Sequence, residues 1–352
     1  MNYKCLVTLL LCVFCIKSIA QIQKITSVKV DTLYQNSISI RAIVIDNNKV
    51  WFASNRNLFG YVDLATKRIF EQKIHQDTLH LEFRSIAQTT KSIFILNVGN
   101  PALLYKFSKL DYFPKSDFLS KIVYQETNSK VFYDSMQFYN ETDGIAIGDP
   151  TENCLSIITT KDKGETWHKI SCDKLPKVED GEAAFAASNT NIIIKNNKTW
   201  VVSGGKKASV FYSSNKGNSW KTYGTPIIQG KTMTGIFTAD FYDEKIGIIA
   251  GGDYENLTKN SENKAITKDG GKTWKLIAEN RGFGYASCIQ FVPKSKGKNI
   301  VYVGANGLFC SNDFGVSWTK LLDDTNLFTI RFVNENLAIA AGKNKIVKLY
   351  FK

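Results

Sequence analysis

Short apolar runs alternate with polar turns through almost the whole chain, and from residue 40 onward they repeat in the same order. Each repeat opens with an apolar run, passes a polar turn, continues in a run of small and β-branched residues and, after a gap, reaches a third run. The opening runs lie at residues 40–45, 83–87, 135–139, 183–187, 234–237 with 240–241, 287–292 and 329–333. The second runs lie at residues 50–53, 93–96, 144–148, 200–204, 247–251, 300–304 and 337–341. Runs this short, bounded by turn residues and enriched in Val, Ile and aromatics, predict strands, and no stretch of useful length has helical periodicity. Residues 102–107 supply a third strand in the second repeat, whereas the last repeat ends at residues 346–351 with nothing left for a fourth. The missing strand is available at the other end of the chain, where residues 25–30 alternate with period two.

Four of the repeats share one turn. Residues 160–167, 213–220, 267–274 and 311–318 all read Ser/Thr, any residue, Asp/Asn, any residue, Gly, any residue, Ser/Thr, Trp. A short Asx side chain accepts hydrogen bonds from neighbouring backbone N–H groups, and the glycine two residues on supplies a positive φ. The scaffold residues are therefore Asp162, Gly164 and Trp167; Asn215, Gly217 and Trp220; Asp269, Gly271 and Trp274; and Asp313, Gly315 and Trp318. Each Trp opens a fourth strand as an apolar anchor whose N–H needs a partner.

Repeats of roughly 47 residues are the size of four-stranded propeller blades. The expected fold is all-β: a seven-bladed β-propeller of four-stranded antiparallel blades, closed by pairing of residues 25–30 with residues 346–351. Such closure removes the open sheet edges that invite aggregation. Residues 21–352 are expected to form this single domain. Residues 1–20 read as a signal peptide, with Lys4 ahead of an apolar run from Cys5 to Ile16 and small residues Ser18 and Ala20 before Gln21. That reading places the mature protein outside the cytoplasm, secreted or periplasmic, with no integral membrane segment, as a monomer.

Composition narrows the partners. The chain carries 45 Lys and Arg against 32 Asp and Glu, a net charge of +13. The excess is lysine spread along the sequence without a concentrated basic run, so nucleic acid is not the expected partner. Of the cysteines beyond the leader, Cys154 and Cys172 flank the first shared turn almost symmetrically, which predicts a disulfide near the open end of that hairpin in an oxidising compartment. The cysteine and histidine spacings fit no metal site, and Gly224 to Lys231 places five residues between its glycines with no strand–helix context, so it is not a phosphate loop. No cofactor and no metal are expected.

In a propeller the starts of the innermost strands encircle one mouth of the central channel. Reading that ring gives Arg41, Arg84, Asp134, Glu182, Thr234, Tyr285 and Arg331. Half of the protein's six arginines stand on this ring, one each in the last, first and second repeats, which closure makes neighbours. Clustered guanidinium groups are suited to holding a carboxylate or phosphate bidentately. The ligand-binding candidates are Arg41, Arg84, Arg331, Glu182 and Tyr285.

The shared turn resembles the Asp box, or BNR repeat, of the sialidase-like β-propellers. The arginine ring is similar to the carboxylate clamp of sialidases, and that resemblance implies a glycoside hydrolase with Tyr285 or Glu182 as nucleophile and Asp134 as acid/base. The sequence departs from the sialidase pattern: Phe83-Arg84-Ser85-Ile86 lacks the family's proline, and seven repeats replace six. Over most of its length the chain more closely resembles the seven-bladed Asp-box propellers related to photosystem II stability and assembly factors. That resemblance implies a non-enzymatic platform for a protein or an anionic glycan. Relatives of that kind are sometimes called oxidoreductases, a name no visible cofactor site supports here.

Overall fold

The computed structural model describes residues 23–75, 78–109 and 118–352; the leader expected over residues 1–20 lies outside them. Among the described residues no helix is long and apolar enough to cross a membrane. The chain is an all-β propeller, and its strands form six hydrogen-bonded sheets where seven separate ones were expected. Four sheets have four antiparallel strands, and their innermost strands are Phe83–Gln88, Tyr133–Phe138, Ile192–Lys195 and Cys288–Phe291.

The other two sheets are six-stranded, each for its own reason. In one, Thr234–Phe241, Gly247–Asp253, Lys264–Thr267 and Lys275–Leu276 gain the two-residue strands Gly204–Gly205 and Glu182–Ala183 along the inner edge. In the other, the strand Val28–Asp46 serves two neighbours. Its first half pairs antiparallel with the C-terminal strand Leu337–Phe351, with Val28 opposite Phe351 and Val30 opposite Leu349. Its second half pairs with Lys49–Ser54, with Ala42 opposite Ala53 and Asp46 opposite Lys49. One continuous strand therefore joins the last repeat to the first and merges them into a single sheet. Leu337–Phe351 doubles back on itself, since the Phe351 N–H donates to the Asn336 carbonyl at 2.9 Å.

The innermost strands pack in cyclic order. Val28–Asp46 touches Phe83–Gln88, then follow Tyr133–Phe138, Ile192–Lys195, Thr234–Phe241, Cys288–Phe291 and Leu327–Asn334, which returns to Val28–Asp46. The core lies between adjacent sheets: Trp51, Phe59 and Phe107 sit in one such layer and Trp200, Phe241 and Ile249 in another.

The fourth repeat differs from expectation. Residues 183–187 do not form its inner strand; Ile192–Lys195 does, in a hairpin with Lys198–Val202 that pairs Ile192 with Val201 and Lys195 with Lys198. The residues from 184 to 191 are not strand.

The four shared turns have the same hydroxyl-to-Asx bonding, though Trp167 of the first, unlike the other three Trp residues, leaves its buried Nε1–H without an acceptor among the described residues. In the third, the Thr267 hydroxyl donates to Asp269 Oδ1 at 2.8 Å and accepts the Gly271 N–H at 3.0 Å, while the Thr273 N–H and hydroxyl donate to the same carboxylate. Burial pushes the Asp269 carboxyl up, but the Thr273 and Thr267 hydrogen bonds outweigh it and hold the group at about 2. Trp274 closes the turn by donating Nε1–H to the Gly271 carbonyl at 3.0 Å. Not only the glycine but also the residue before it has positive φ: 67° at Lys163, 57° at Lys216, 79° at Gly270 and 62° at Phe314. The turn glycines face the preceding repeat. A Cβ at Gly164 would stand 2.3 Å from Phe94, and one at Gly315 would stand 2.5 Å from Ile277. Each turn thus clips its sheet to a neighbour.

Replacing Asp269 with Ala leaves those donors without their acceptor and is expected to cost about 1–3 kcal/mol of stability. Chemical denaturation checks this, and ligand affinity at the mouth should not change. Cys154 and Cys172 are joined with Cα atoms 5.6 Å apart, while Cys288 and Cys310 are buried free thiols.

Candidate functional site at the channel mouth

Five of the innermost strands carry an irregularity, near the start of the strand or, in Val28–Asp46, of its second half, and the extra residue in each belongs to the mouth ring. The pairing skips Arg41 between Ile40 and Ala42, Arg84 between Phe83 and Ser85, and Asp134 between Tyr133 and Ser135. It skips Phe237 between Ile236 and Thr238, and Phe328 between Leu327 and Thr329. A bulge inserts one unpaired residue and re-aims its side chain. The ring therefore holds Phe237 and Phe328 where the sequence suggested Thr234 and Arg331.

Those corrections follow from register. Arg331 lies three positions beyond the bulge and is drawn into the channel, where Nη2 donates to the carbonyls of Ser188 at 3.0 Å and Asn189 at 3.2 Å. Its Nη1 donates to the Ile330 carbonyl at 2.8 Å and to Thr329 Oγ1 at 3.0 Å. Thr234 is buried and caps its own turn, donating to the Lys231 carbonyl at 2.9 Å.

The segment from 184 to 191 fills the channel. Arg41 Nη1 donates to the Ala187 carbonyl at 3.1 Å, Asn189 Nδ2 to the Ile86 carbonyl at 2.9 Å, and the Met136 N–H to Asn189 Oδ1 at 3.0 Å. Ser188 Oγ donates to the Ser287 carbonyl at 2.7 Å, Thr190 and Thr238 share a hydroxyl contact of 2.8 Å, and Thr329 Oγ1 donates to the Ser188 carbonyl at 3.2 Å. One short polar segment thus meets six other repeats. The mouth is a floored depression rather than an open pore, and Arg331 belongs to its floor.

Above that floor stand Arg41 and Arg84. The Arg41 guanidinium lies over the Phe328 ring at 4.5 Å, and apart from its bond to Ala187 no protein acceptor meets its N–H groups among the described residues. Burial is the first cause that lowers its pKa and the nearby Arg84 the second, with Tyr285, Tyr254 and Glu82 opposing. Arg84 donates Nε–H to Glu82 at 2.7 Å and lies 5.9 Å from the Phe132 ring centroid, with its remaining N–H groups free of protein acceptors among the described residues. A partly exposed pair such as Arg84–Glu82 contributes little stability, so it can open for a ligand at little cost. Beside the arginines, Phe237 stacks on Phe185 at 4.0 Å and meets Tyr285 edge-on, and the exposed Tyr254 packs edge-on against Tyr285 at 5.0 Å. The aromatic set Phe132, Phe185, Phe237, Tyr254 and Phe328 was not singled out from the sequence.

The carboxylates are divided. Glu182 is buried and fully engaged, taking the Ser203 hydroxyl at 2.5 Å and the Glu179 N–H at 3.0 Å. It makes no hydrogen bond to Tyr285, whose own hydroxyl is pushed up to about 12 by burial, with Arg41 acting against the shift. The structure thus does not bring Glu182 and Tyr285 together as a nucleophile pair. Asp134 is completely buried, and neither of its carboxyl oxygens has a hydrogen-bond partner among the described residues. Burial first and Asp149 second hold it well above the usual carboxylate range, while Arg84 pulls the other way. Burial also raises Asp149, to about 7, against the bond it accepts from the Ala184 N–H at 2.9 Å.

This pair makes a signed prediction. Both folded-state pKa values lie above the unfolded one, so the folded protein binds more protons than the unfolded chain between about pH 4 and pH 7 and beyond. The stability contribution is fully present below the unfolded value and is lost as pH rises through the folded ones. The box carboxylates Asp162 and Asp269, held at about 2, lose their contribution only as pH falls below about 4. Stability should therefore peak near pH 4 and fall by about 2 kcal/mol or more toward pH 8. Asp134→Asn should flatten that slope; an unchanged slope would show that the pair does not titrate.

Fold and site together define a closed all-β propeller whose floored mouth presents two arginines among aromatics. Solved propellers share its shape. YCF48 bound to D1 peptide matches with a TM-score of 0.64 at 13% identity, over 94% of this chain and 100% of that one. YCF48 from Cyanidioschyzon merolae matches with a TM-score of 0.62 at 12% identity, over 93% of this chain and 98% of that one. The RRP9 WD40 repeats match with a TM-score of 0.65 at 10% identity, over 94% and 100%. At such identities the likeness shows the fold alone. No protein-family model and no curated protein matches the sequence.

Proposed function

We propose that this chain is a recognition propeller without catalytic chemistry, whose mouth holds an acidic segment of a partner protein through Arg41 and Arg84. The observation that carries the reading is the placement of both guanidinium groups on adjacent bulges with most of their N–H groups unpartnered among the described residues. Two such forks suit a carboxylate, and the Tyr254 and Phe328 rings beside them offer apolar contact to a peptide chain. The solved complex of the similarly shaped YCF48 with a D1 peptide supports a peptide over a sugar as the occupant. Counted by innermost strands, the ring reads as seven blades, with the first and last fused through Val28–Asp46, and the four Asp boxes ally it with the sialidase-like propellers. The signal-peptide reading of residues 1–20 supports work outside the cytoplasm, secreted or periplasmic. A glycosidase reading draws less support, because Glu182 is tied to Ser203 and Glu179 away from Tyr285.

The test is selection of displayed random 12-residue peptides on the mature protein, with a panel of sialylated, uronylated and sulfated glycans tested alongside for binding and turnover. Enrichment of acidic peptides that is lost in Arg41→Ala/Arg84→Ala supports the reading. Glycan turnover abolished by Glu182→Gln, or acidic enrichment that persists in the double variant, would overturn it.

A further inference from the structure

Beside the arginines the mouth face carries a second, oppositely charged feature. A cleft of about 480 Å³ is lined by Asp149, Glu152, Glu179, Asp180 and Glu182, with Lys130 the one basic residue on its wall. Five carboxylates against one lysine is a local inversion in a chain whose net charge is +13. Glu182 is satisfied internally and Glu179 reaches Lys207 at 3.3 Å, but Asp149, Glu152 and Asp180 have no ion pair among the described residues.

Asp134 lies buried behind this acidic cleft, next to Asp149 on its wall. Its bulge places it there: Gly148 is paired with Tyr133, and the Asp149 N–H donates to the Phe132 carbonyl at 2.7 Å. Of the charges acting on Asp134, Asp149 on the cleft wall comes first and Arg84 at the mouth second. A carboxyl this deeply buried, with both oxygens unpartnered among the described residues, is costly in its ionised form unless a cation comes to it or to its neighbour; without one it holds a proton. Arg84 does not fill that role in this structure, because it donates to Glu82 and makes no hydrogen bond to either Asp134 oxygen. Among the described residues no group of three or more metal-ligating side chains is assembled, so the donor set suits an ammonium or guanidinium better than a metal ion.

We propose that the mouth is bipolar, and that the cleft walled by Asp149 and backed by Asp134 receives a lysine or arginine side chain of the same partner segment whose carboxylate is held by Arg41 and Arg84. This rests on the proposed peptide-binding role of the arginines and adds the second half of the ligand. The preferred partner is a segment that carries both charges, an acidic residue and a basic one a few positions apart. Two oppositely charged anchors also fix the direction in which the chain lies across the mouth.

The experiment uses the same peptide selection on the mature wild-type protein, Asp149→Asn, Asp134→Asn and Arg41→Ala/Arg84→Ala, each first shown to be folded by its melting transition. Asn at position 149 retains an acceptor for the Ala184 N–H. An enriched peptide is then remade with its Lys or Arg replaced by norleucine, and the binding constants are compared. The inference expects wild-type enrichment of both acidic and basic positions, a roughly tenfold loss on the norleucine replacement, and no further loss from that replacement in Asp149→Asn. If acidic peptides bind through the arginines but carry no basic preference, or Asp149→Asn keeps that preference, the bipolar inference is wrong while the arginine reading stands. Basic peptides that bind in the arginine double variant and are lost in Asp149→Asn would support the cleft and overturn the arginine reading. Should no peptide be enriched, both are overturned. If Asp134→Asn and Asp149→Asn do not fold, Glu152→Gln/Asp180→Asn on the cleft rim carries the same comparison.

Discussion

Removing residues 21–35 should leave a chain that aggregates instead of a closed propeller. The deletion strips Leu337–Phe351 of the partner that begins with Val28 opposite Phe351, and exposes a full row of unpaired backbone groups at that edge. It also removes Ile25, Leu33 and Tyr34, all buried, each contributing about 1.5–3 kcal/mol of apolar burial. The segment is clasped at its start as well: the Ile25 N–H donates to Asn312 Oδ1 at 2.8 Å, Asn312 Nδ2 donates back to the Ile25 carbonyl at 2.9 Å, and the Thr26 N–H donates to the Lys352 carbonyl at 2.7 Å. Asn312 occupies a variable position of the last Asp box, so that turn holds the N-terminal segment as well as its own hairpin. Summed, the losses approach the whole stability of an ordinary domain. Size-exclusion chromatography and a denaturant titration check the result, and a soluble truncation as stable as the chain that keeps residues 21–35 would count against terminal closure.

Trp200→Ala is the second large effect, expected to cost about 3–5 kcal/mol. Trp200 is wholly buried and lies against Phe241 with ring centroids 4.0 Å apart and planes 19° from parallel. Its Nε1–H donates to the Gly270 carbonyl at 2.8 Å, so it also anchors the third Asp box from the neighbouring sheet. A Cβ at Gly271 would come within 3.1 Å of the same ring. Truncation therefore opens a cavity between two sheets and leaves a turn carbonyl without its donor. The denaturation midpoint should fall while peptide affinity of the remaining folded protein is unchanged; a stable variant with lost affinity would move Trp200 from scaffold to site.

What the sequence revealed was mostly local chemistry. The Asp boxes were legible because Asx, Gly, hydroxyl and Trp act on one another within eight residues, and the terminal closure because residues 25–30 alternate with period two. The mouth was legible only in part. Arg41, Arg84 and Asp134 are where a count from the strand starts puts them, but a single bulged residue shifts a ring position, which replaced Thr234 with Phe237 and Arg331 with Phe328. Bulges arise from packing across the channel, which one sequence does not display. The fourth repeat misled for a different reason. Residues 183–187 are small and apolar like an inner strand, yet the stronger hairpin signal was Ile192–Lys195, the Asn196-Asn197 turn and Lys198–Val202, and it leaves the polar run Ser188-Asn189-Thr190-Asn191 free to cross the channel. Asp134 was named as a site residue, but its lack of any partner and its pairing with Asp149 depend on three-dimensional burial.

The central claim is that Arg41 and Arg84 hold a carboxylate-bearing segment at the mouth. It is tested most directly by calorimetric titration of one enriched acidic peptide into wild type, Arg41→Ala, Arg84→Ala and the double variant, with Arg331→Ala as the channel-floor control. The predicted result is a loss of roughly 30-fold or more in affinity for the double variant, as expected when a hydrogen-bonded charge pair is truncated, with Arg331→Ala losing stability but not affinity. Equal affinity in wild type and the double variant would contradict it.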